Sequence, residues 1–296
     1  MIILMVVIVF GFWYGCQLAL NTEHPALAVV SESMLPTLNV GDVIIVQGVT
    51  ADQINANNIT GDIVVFRSPI NPEYRIVHRA IKIDPTPYGY RITTHGDNNP
   101  LGSNEQFDAD YLIGKVIARI PYVGNFALYV NALGNFYYFL IVIIIIVNIL
   151  ISIFFDTDEE KKPKEEPQEK RKLFGKLNIE IVFIVILNVL LISFIAFNLF
   201  GSFTFWQLGK EPNPGYVTIY GMYSDVHFHE LFVSKTFLSN GFLTYKIDSQ
   251  VSGGIRSGVT TFSWTQASIL ILILLNIWML NKHLHFDRRL KQALKT

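Results

Sequence analysis

The sequence predicts a membrane protein of mixed class: an all-β domain outside the cytoplasm, four transmembrane helices, and a second small β-rich domain on the same side. Three observations carry this. Of 296 residues, 51% are apolar and only 16% charged, with a mean hydropathy of +0.37, whereas soluble domains carry roughly 25% charge. Four stretches, 1–22, 120–155, 181–209 and 257–281, contain no Asp, Glu, Lys or Arg. Between them lie short apolar runs separated by Gly-Asp and other turn pairs, the pattern of an all-β domain.

A helix needs about 20 apolar residues to cross the hydrocarbon core, which puts spans at 1–20, 137–155, 181–200 and 266–281. The first exceeds the 7–15 apolar residues of a signal peptide's core and has no basic residues before it, so it reads as an uncleaved anchor. Basic residues set the orientation. Seven lie in 156–180 and five in 282–296, against four spread over 201–264. The linker 156–180, the tail 282–296 and the N-terminus are therefore expected in the cytoplasm, with 21–136 and 201–265 outside. The linker mixes both signs around Pro163 and Pro167 and reads as a solvated connector.

Net charge is −1 and there is a single cysteine, Cys16. The first excludes a strongly basic nucleic-acid binder, and the second excludes a disulfide framework or a multi-cysteine metal site. No metal or organic cofactor is implied.

Expected strands in the first outside segment are 28–30, 43–46, 63–66, 76–83, 90–94 and 111–120. Those in the second are 216–220, 226–233, 242–247 and 259–264. At about 60 residues the second segment is a marginal core by itself, so it leans on the membrane, on the first domain or on a partner.

Three short elements in the first segment bear chemistry: Ser31-Glu32-Ser33-Met34-Leu35-Pro36-Thr37, Ile76-Val77-His78-Arg79, and Thr94-His95-Gly96-Asp97-Asn98-Asn99. Ser33 follows Leu20 by thirteen residues, which limits it to roughly 45 Å from the bilayer. Taken singly, a Ser-rich turn, a strand histidine and a Gly-Asp pair are each more often structural. Together and in order, with Ile113-Gly114-Lys115-Val116 after them, they resemble type I signal peptidase of peptidase family S26. His in place of the bacterial Lys makes the chain similar to the Ser-His archaeal and endoplasmic-reticulum branch. The resemblance covers about residues 1–120 and leaves 156–296 outside it.

The resemblance implies that 21–136 is the catalytic domain, with Ser33 as nucleophile and His78 as general base. The base is required because a serine hydroxyl is a poor nucleophile until its proton is taken. Ser31 is expected to join the Ser33 backbone N–H in the oxyanion hole. Asp97 matches the acid of the family's Gly-Asp-Asn-Asn turn and is expected to orient the imidazole. A second acid that the family carries about six residues later is Ser103 here. The nearest acids are Glu105, Asp108 and Asp110, and Asp108 is the expected stand-in.

Two further basic residues compete for the role of base. Lys82, four residues past His78 on the strand, is a conceivable partner for a Ser-Lys dyad, and His95 is expected to be non-catalytic. The implied substrates are the signal peptides of secretory preproteins, with membrane lipid and the translocation channel as partners.

The rival reading is an inactive peptidase-like receptor or scaffold acting through 201–265. A self-cleaving repressor of the same superfamily is disfavoured by the four spans. Outside the motif set, His227 and His229 would share one face of a strand, a weak metal signal. Asn58-Ile59-Thr60 is a glycosylation acceptor sequence. Asn148, Asn188, Asn198 and Asn276 fall in or at the ends of spans and are expected to face a helix bundle.

Overall fold

The computed structural model describes residues 2–132, 172–173, 177–206 and 216–284. The expected span 137–155, nearly all of the linker 156–180 and the tail beyond Leu284 lie outside the described residues. The structure is mostly β. Among the described residues, seven strands occupy the segment 21–136: β1 (Ala26–Ala28), β2 (Val43–Gln47), β3 (Ile63–Arg67), β4 (Arg75–Thr86), β5 (Gly89–His95), β6 (Glu105–Asp108) and β7 (Leu112–Ile120). Before them runs helix α1 (Ile2–Leu20) and after them α2 (Gly124–Ala132).

Beyond come the two-residue strands β8 (Lys172–Leu173) and β9 (Leu177–Asn178), then α3 (Ile179–Phe200), β10 (Ser202–Trp206) and β11 (Tyr216–Tyr220). They are followed by α4 (Met222–Glu230), β12 (Lys235–Asn240), β13 (Thr244–Val251), β14 (Gly254–Arg256), β15 (Thr261–Phe262) and α5 (Trp264–Leu284). Among the described residues, two stretches, Val182–Phe200 and Trp264–Lys282, are long and apolar enough to cross a membrane. In α1 the apolar stretch Val7–Leu20 is shorter.

β3 explains how the core of 21–136 is built. Its Ile63-Val64-Val65-Phe66 run is apolar without alternation because both faces are covered. Ile63 and Val65 pack with Val29, Met34, Leu38, Ile44 and Val46 on one side. Val64 and Phe66 pack with Ala51, Ile54, Ala80, Ile92 and Phe107 on the other. The Phe66 and Phe107 rings stack at 3.9 Å between centroids. Each such buried side chain contributes about 1.5–3 kcal/mol, so β3 is a fixed platform for its neighbour β4, which carries the histidine.

Strands of the segment 201–265 continue the same sheet, in the order β12-β13-β15-β7-β3-β4-β5-β6. The join is a parallel contact, Thr261 against Arg119. Arg119 is buried there, donating to Asp42, Thr261 and Asp225, and Tyr245 donates to the same Asp225. Only β10 and β11 form a separate pair in this part of the chain.

The expected strand 226–233 is instead largely helix, Met222–Glu230. Its buried residues Met222, Asp225 and His229 recur at helical spacing, but two of the three are polar. The inward stripe therefore carried no hydrophobic signal, and Val226 and Phe228 mimicked a strand's alternation. His227 and His229 consequently lie on different faces. The first is exposed beside Glu230 and the second is buried under Asp225.

Among the described helix asparagines, those of α5 and α3 meet across helices, whereas Asn198 meets a residue of the connection between β7 and α2. Asn276 Nδ2 donates to Asn188 Oδ1 at 2.7 Å between α5 and α3, and Asn198 accepts from the Tyr122 hydroxyl. Asn148 lies outside the described residues.

Candidate active site

His78 and Arg79 are successive residues of β4, opposite Val64 and Ile63 of β3. Consecutive strand residues point to opposite faces, so one element aims the imidazole into a cleft and the guanidinium beneath it. Both are buried, His78 at 4% and Arg79 at 2% exposure.

The guanidinium is the hub of the support. Its Nε and Nη2 bind the two oxygens of Asp97 at 2.8 and 2.7 Å, and Nη1 donates to the Gly61 carbonyl at 2.7 Å. Asp97 Oδ2 also accepts from Thr37 Oγ1 at 2.6 Å, and Arg256 Nη1 of β14 stands 3.6 Å from Oδ1. Burial by itself would raise the Asp97 carboxyl's pKa. The bidentate Arg79 outweighs burial and holds it below the usual carboxylate range. Burial likewise lowers the Arg256 guanidinium from its ordinary value, with Asp97 opposing.

Through these bonds Asp97 ties three sequence motifs into one frame. Thr37 closes the turn that carries Ser33, Arg79 adjoins His78, and Gly96-Asp97-Asn98 supplies the clamp. Asn98 donates its backbone N–H to the Ser33 carbonyl at 2.9 Å and its side-chain amide to the Glu32 carbonyl at 3.1 Å. Gly96 is required for this approach, since a Cβ there would stand 2.7 Å from the Ser33 carbonyl oxygen. Met34, Thr37 and Leu38 are buried behind the turn, and Leu35 N–H to Glu32 C=O and Leu38 N–H to Met34 C=O close it.

Asp97 does not meet His78. Its hydrogen bonds among the described residues go to Arg79 and Thr37, and the carboxylate at the imidazole belongs to Glu105, whose Oε2 lies 3.1 Å from Nδ1. Glu105 begins β6, opposite Thr94 of β5, and its side chain is 42% exposed. Asp108 is three residues further along the same strand, about 10 Å away, and is held by Arg91 Nε at 3.0 Å.

Ser31 Oγ lies 3.3 Å from Ser33 Oγ. Both serines, His78 and Glu105 line one cleft of about 670 Å³, bounded along one side by Leu27, Ala28 and Val29. Lys82 is outside it, paired with Asp84 at 2.8 Å on the exposed surface. His95 Nδ1 meets Asn104 at 3.1 Å and faces a different cavity. Glu105 was visible in the sequence only as the first acid after the Gly-Asp-Asn-Asn turn, at a spacing that gave it no advantage over Asp108.

Comparison with known proteins fits this frame. Residues 1–87 match the family of signal peptidases, peptidase S26. The chain is 30% identical over 142 residues to the signal peptidase complex catalytic subunit SEC11 of Schizophyllum commune, covering 40% of this chain and 71% of that protein. It is 32% identical over 122 residues to SEC11 of Pyricularia oryzae, covering 39% and 69%. To SEC11 of Lachancea thermotolerans it is 30% identical over 133 residues, covering 41% and 75%. The chain belongs to the S26 signal peptidase family. The matched residues include the turn that carries Ser33 and the strand that carries His78 and Arg79, whereas the Gly96-Asp97-Asn98-Asn99 turn lies beyond them. The family match ends at residue 87, so β10 to β15 are built from sequence beyond it.

Proposed function

We propose that the chain is a membrane-bound serine endopeptidase that removes N-terminal signal peptides from exported proteins, with Ser33 as nucleophile and His78 as general base. The observation that carries this reading is the shared cleft, in which the Ser31 and Ser33 hydroxyls, the His78 imidazole and the Glu105 carboxylate converge. With Nδ1–H donated to Glu105, Nε2 keeps its lone pair and can accept the Ser33 proton. Ser33 Oγ then attacks the scissile carbonyl and His78 passes the proton to the leaving amine. Water, activated by the same imidazole, releases the acyl group. The Ser31 hydroxyl and the Ser33 backbone N–H would hold the developing oxyanion, each donor contributing about 3–4 kcal/mol. In this reading Glu105 orients the imidazole, and Asp97 keeps the nucleophile turn and base strand together.

The substrate's extended segment would add to the edge of β1, whose other edge is taken by β2. The shallow apolar wall at Leu27, Ala28 and Val29 suits small side chains before the cleaved bond.

Sheet continuity supports the four-span arrangement with 21–136 and 201–265 on one side. A single sheet cannot lie on both sides of a bilayer, so the chain must cross an even number of times between Ile120 of β7 and Lys235 of β12. In this reading α3 supplies one crossing, and the other falls to the charge-free stretch 137–155, which lies outside the described residues.

The test is cleavage of an Ala-x-Ala reporter preprotein by the full chain in lipid. Ser33→Ala and His78→Ala are each expected to abolish it. Undiminished cleavage by either variant defeats the assignment. Wild-type inactivity together with binding of a partner through 201–265 would favour the receptor reading.

A further inference from the structure

The nucleophile turn separates two cavities. Ser31 and Ser33 line the catalytic cleft, whereas Glu32 and Leu35 line a second groove of about 350 Å³ on the turn's other side. The clamp is divided in the same way, with Asn99 in the cleft and Asn98 in the groove. The groove's far wall comes from beyond the family match, from Tyr220 of β11 and from Phe228 and Phe232 at the end of α4. Tyr220 and Phe228 stack at 4.6 Å, and Phe232 meets Phe228 edge-on at 5.2 Å, leaving Phe232 43% exposed. Among the residues lining the groove, Glu32 alone is charged, and it makes no ion pair among the described residues.

Resting on the peptidase reading, a substrate lying over Ser33 has two halves. The half before the scissile bond occupies the cleft along β1. The half after it must leave past the turn, and Glu32 flanks Ser33 on the groove side. We propose that this groove binds the first residues of the mature protein, those just after the cleaved bond. The aromatic wall selects an apolar or aromatic side chain, and the Glu32 carboxylate favours a cationic neighbour over an anionic one. The second outside segment thereby selects the residues on the mature side of the cleavage site. Aromatic edges and faces suit this task because they bury large area with few rotors to order.

The experiment uses the full chain in lipid with reporter preproteins identical up to the cleavage site. They differ in the first four mature residues, either Lys against Glu or Phe against Ser. Wild type is expected to favour Lys over Glu by about threefold in kcat/KM, as for an exposed charge pair, and Phe over Ser by about tenfold. Glu32→Lys is expected to invert the Lys-to-Glu ratio, and Phe232→Ser to collapse the Phe-to-Ser ratio. Phe232 lies at the exposed end of the aromatic wall, so its removal leaves the fold in place. If wild type cleaves all four equally, or if the variants leave both ratios unchanged, the proposal is overturned. If wild type cleaves none of them, the peptidase reading itself falls and takes this one with it.

Discussion

Glu105 Oε2 lies 3.1 Å from Nδ1 of His78, and the two residues come from strands separated by β5. In the proposed mechanism this carboxylate selects the tautomer that leaves Nε2 free as a base. Replacing it removes that selection and the stabilisation of the imidazolium formed in the reaction. Loss of a fully buried triad carboxylate costs about 10⁴ in kcat, but Glu105 is 42% exposed and solvent screens its charge. Glu105→Gln is therefore expected to lower kcat by about 10- to 1000-fold with little change in KM. Glu105→Asp should recover only part, because the shorter side chain falls short of Nδ1. Steady-state cleavage kinetics check this, and full activity in Glu105→Gln would remove Glu105 from the mechanism.

Asp97 has a different task, which its partners define. It is buried with Arg79, side chains 2% and 3% exposed. Asp97→Asn would leave the guanidinium buried without its counter-charge, with the Gly61 carbonyl as a neutral partner. Breaking such a pair from one side costs about 3–5 kcal/mol. The expected outcome is a large drop in the unfolding midpoint, with activity lost in proportion to the folded fraction. Thr37→Val, which removes one neutral donor to the same carboxylate, should cost only about 1 kcal/mol. Denaturant titrations of both variants provide the comparison.

Much of this site was legible in the sequence, and the limits have physical reasons. Ser33, Ser31 and His78 announce themselves through ordered motifs, and the strands around them follow from Gly-Asp turns and apolar runs. The division of labour between Asp97 and Glu105 was not legible, since a motif records which residues recur and not which atoms meet. Arg79, next to His78 in its motif, is the partner that occupies Asp97. The union of the second segment with the first sheet rests on one parallel contact, Thr261 with Arg119, some 140 residues apart, and no local pattern encodes a pairing of that range. In α4 the inward residues Asp225 and His229 are polar, which hid the helix.

His229 makes the docked second segment sensitive to acid. It is 3% exposed, and burial, aided by Arg119 and opposed by Asp225, lowers its pKa to about 4. In the unfolded chain it titrates near 6.5. Between these values the unfolded state binds a proton that the folded state refuses, so stability falls as pH falls from about 6.5 to 4, by about 3 kcal/mol at most. Asp97, with its folded pKa depressed, adds its own loss only below about 3.9, the unfolded carboxyl value. Asp42 is shifted the other way, raised by burial against the pull of Arg119, but its contribution cancels between two proteins that differ only at residue 229. His229→Gln is thus expected to flatten the urea-midpoint profile between pH 6.5 and 4. Parallel profiles for wild type and variant would show that His229 is not the sensor.

The contact between Asn276 of α5 and Asn188 of α3, 2.7 Å from Nδ2 to Oδ1, joins two helices that are long and apolar enough to cross a membrane. Each amide also donates to the carbonyl four residues back in its own helix, so the pair is satisfied within the helix couple. In hydrocarbon an unpaired amide has no water to turn to, yet measured interhelical bonds of this kind contribute only about 0.6–2 kcal/mol. Asn276→Leu should weaken the packing of α5 on α3 by that amount and leave Asn188 Oδ1 without its donor. Changing both to Leu removes the unpaired group as well, so the double variant should be more stable than the sum of the two single changes predicts. A double-mutant cycle on unfolding in detergent measures the coupling directly. A coupling of zero would mean that the two amides do not meet in the folded protein and that the α3–α5 couple is held by apolar packing alone.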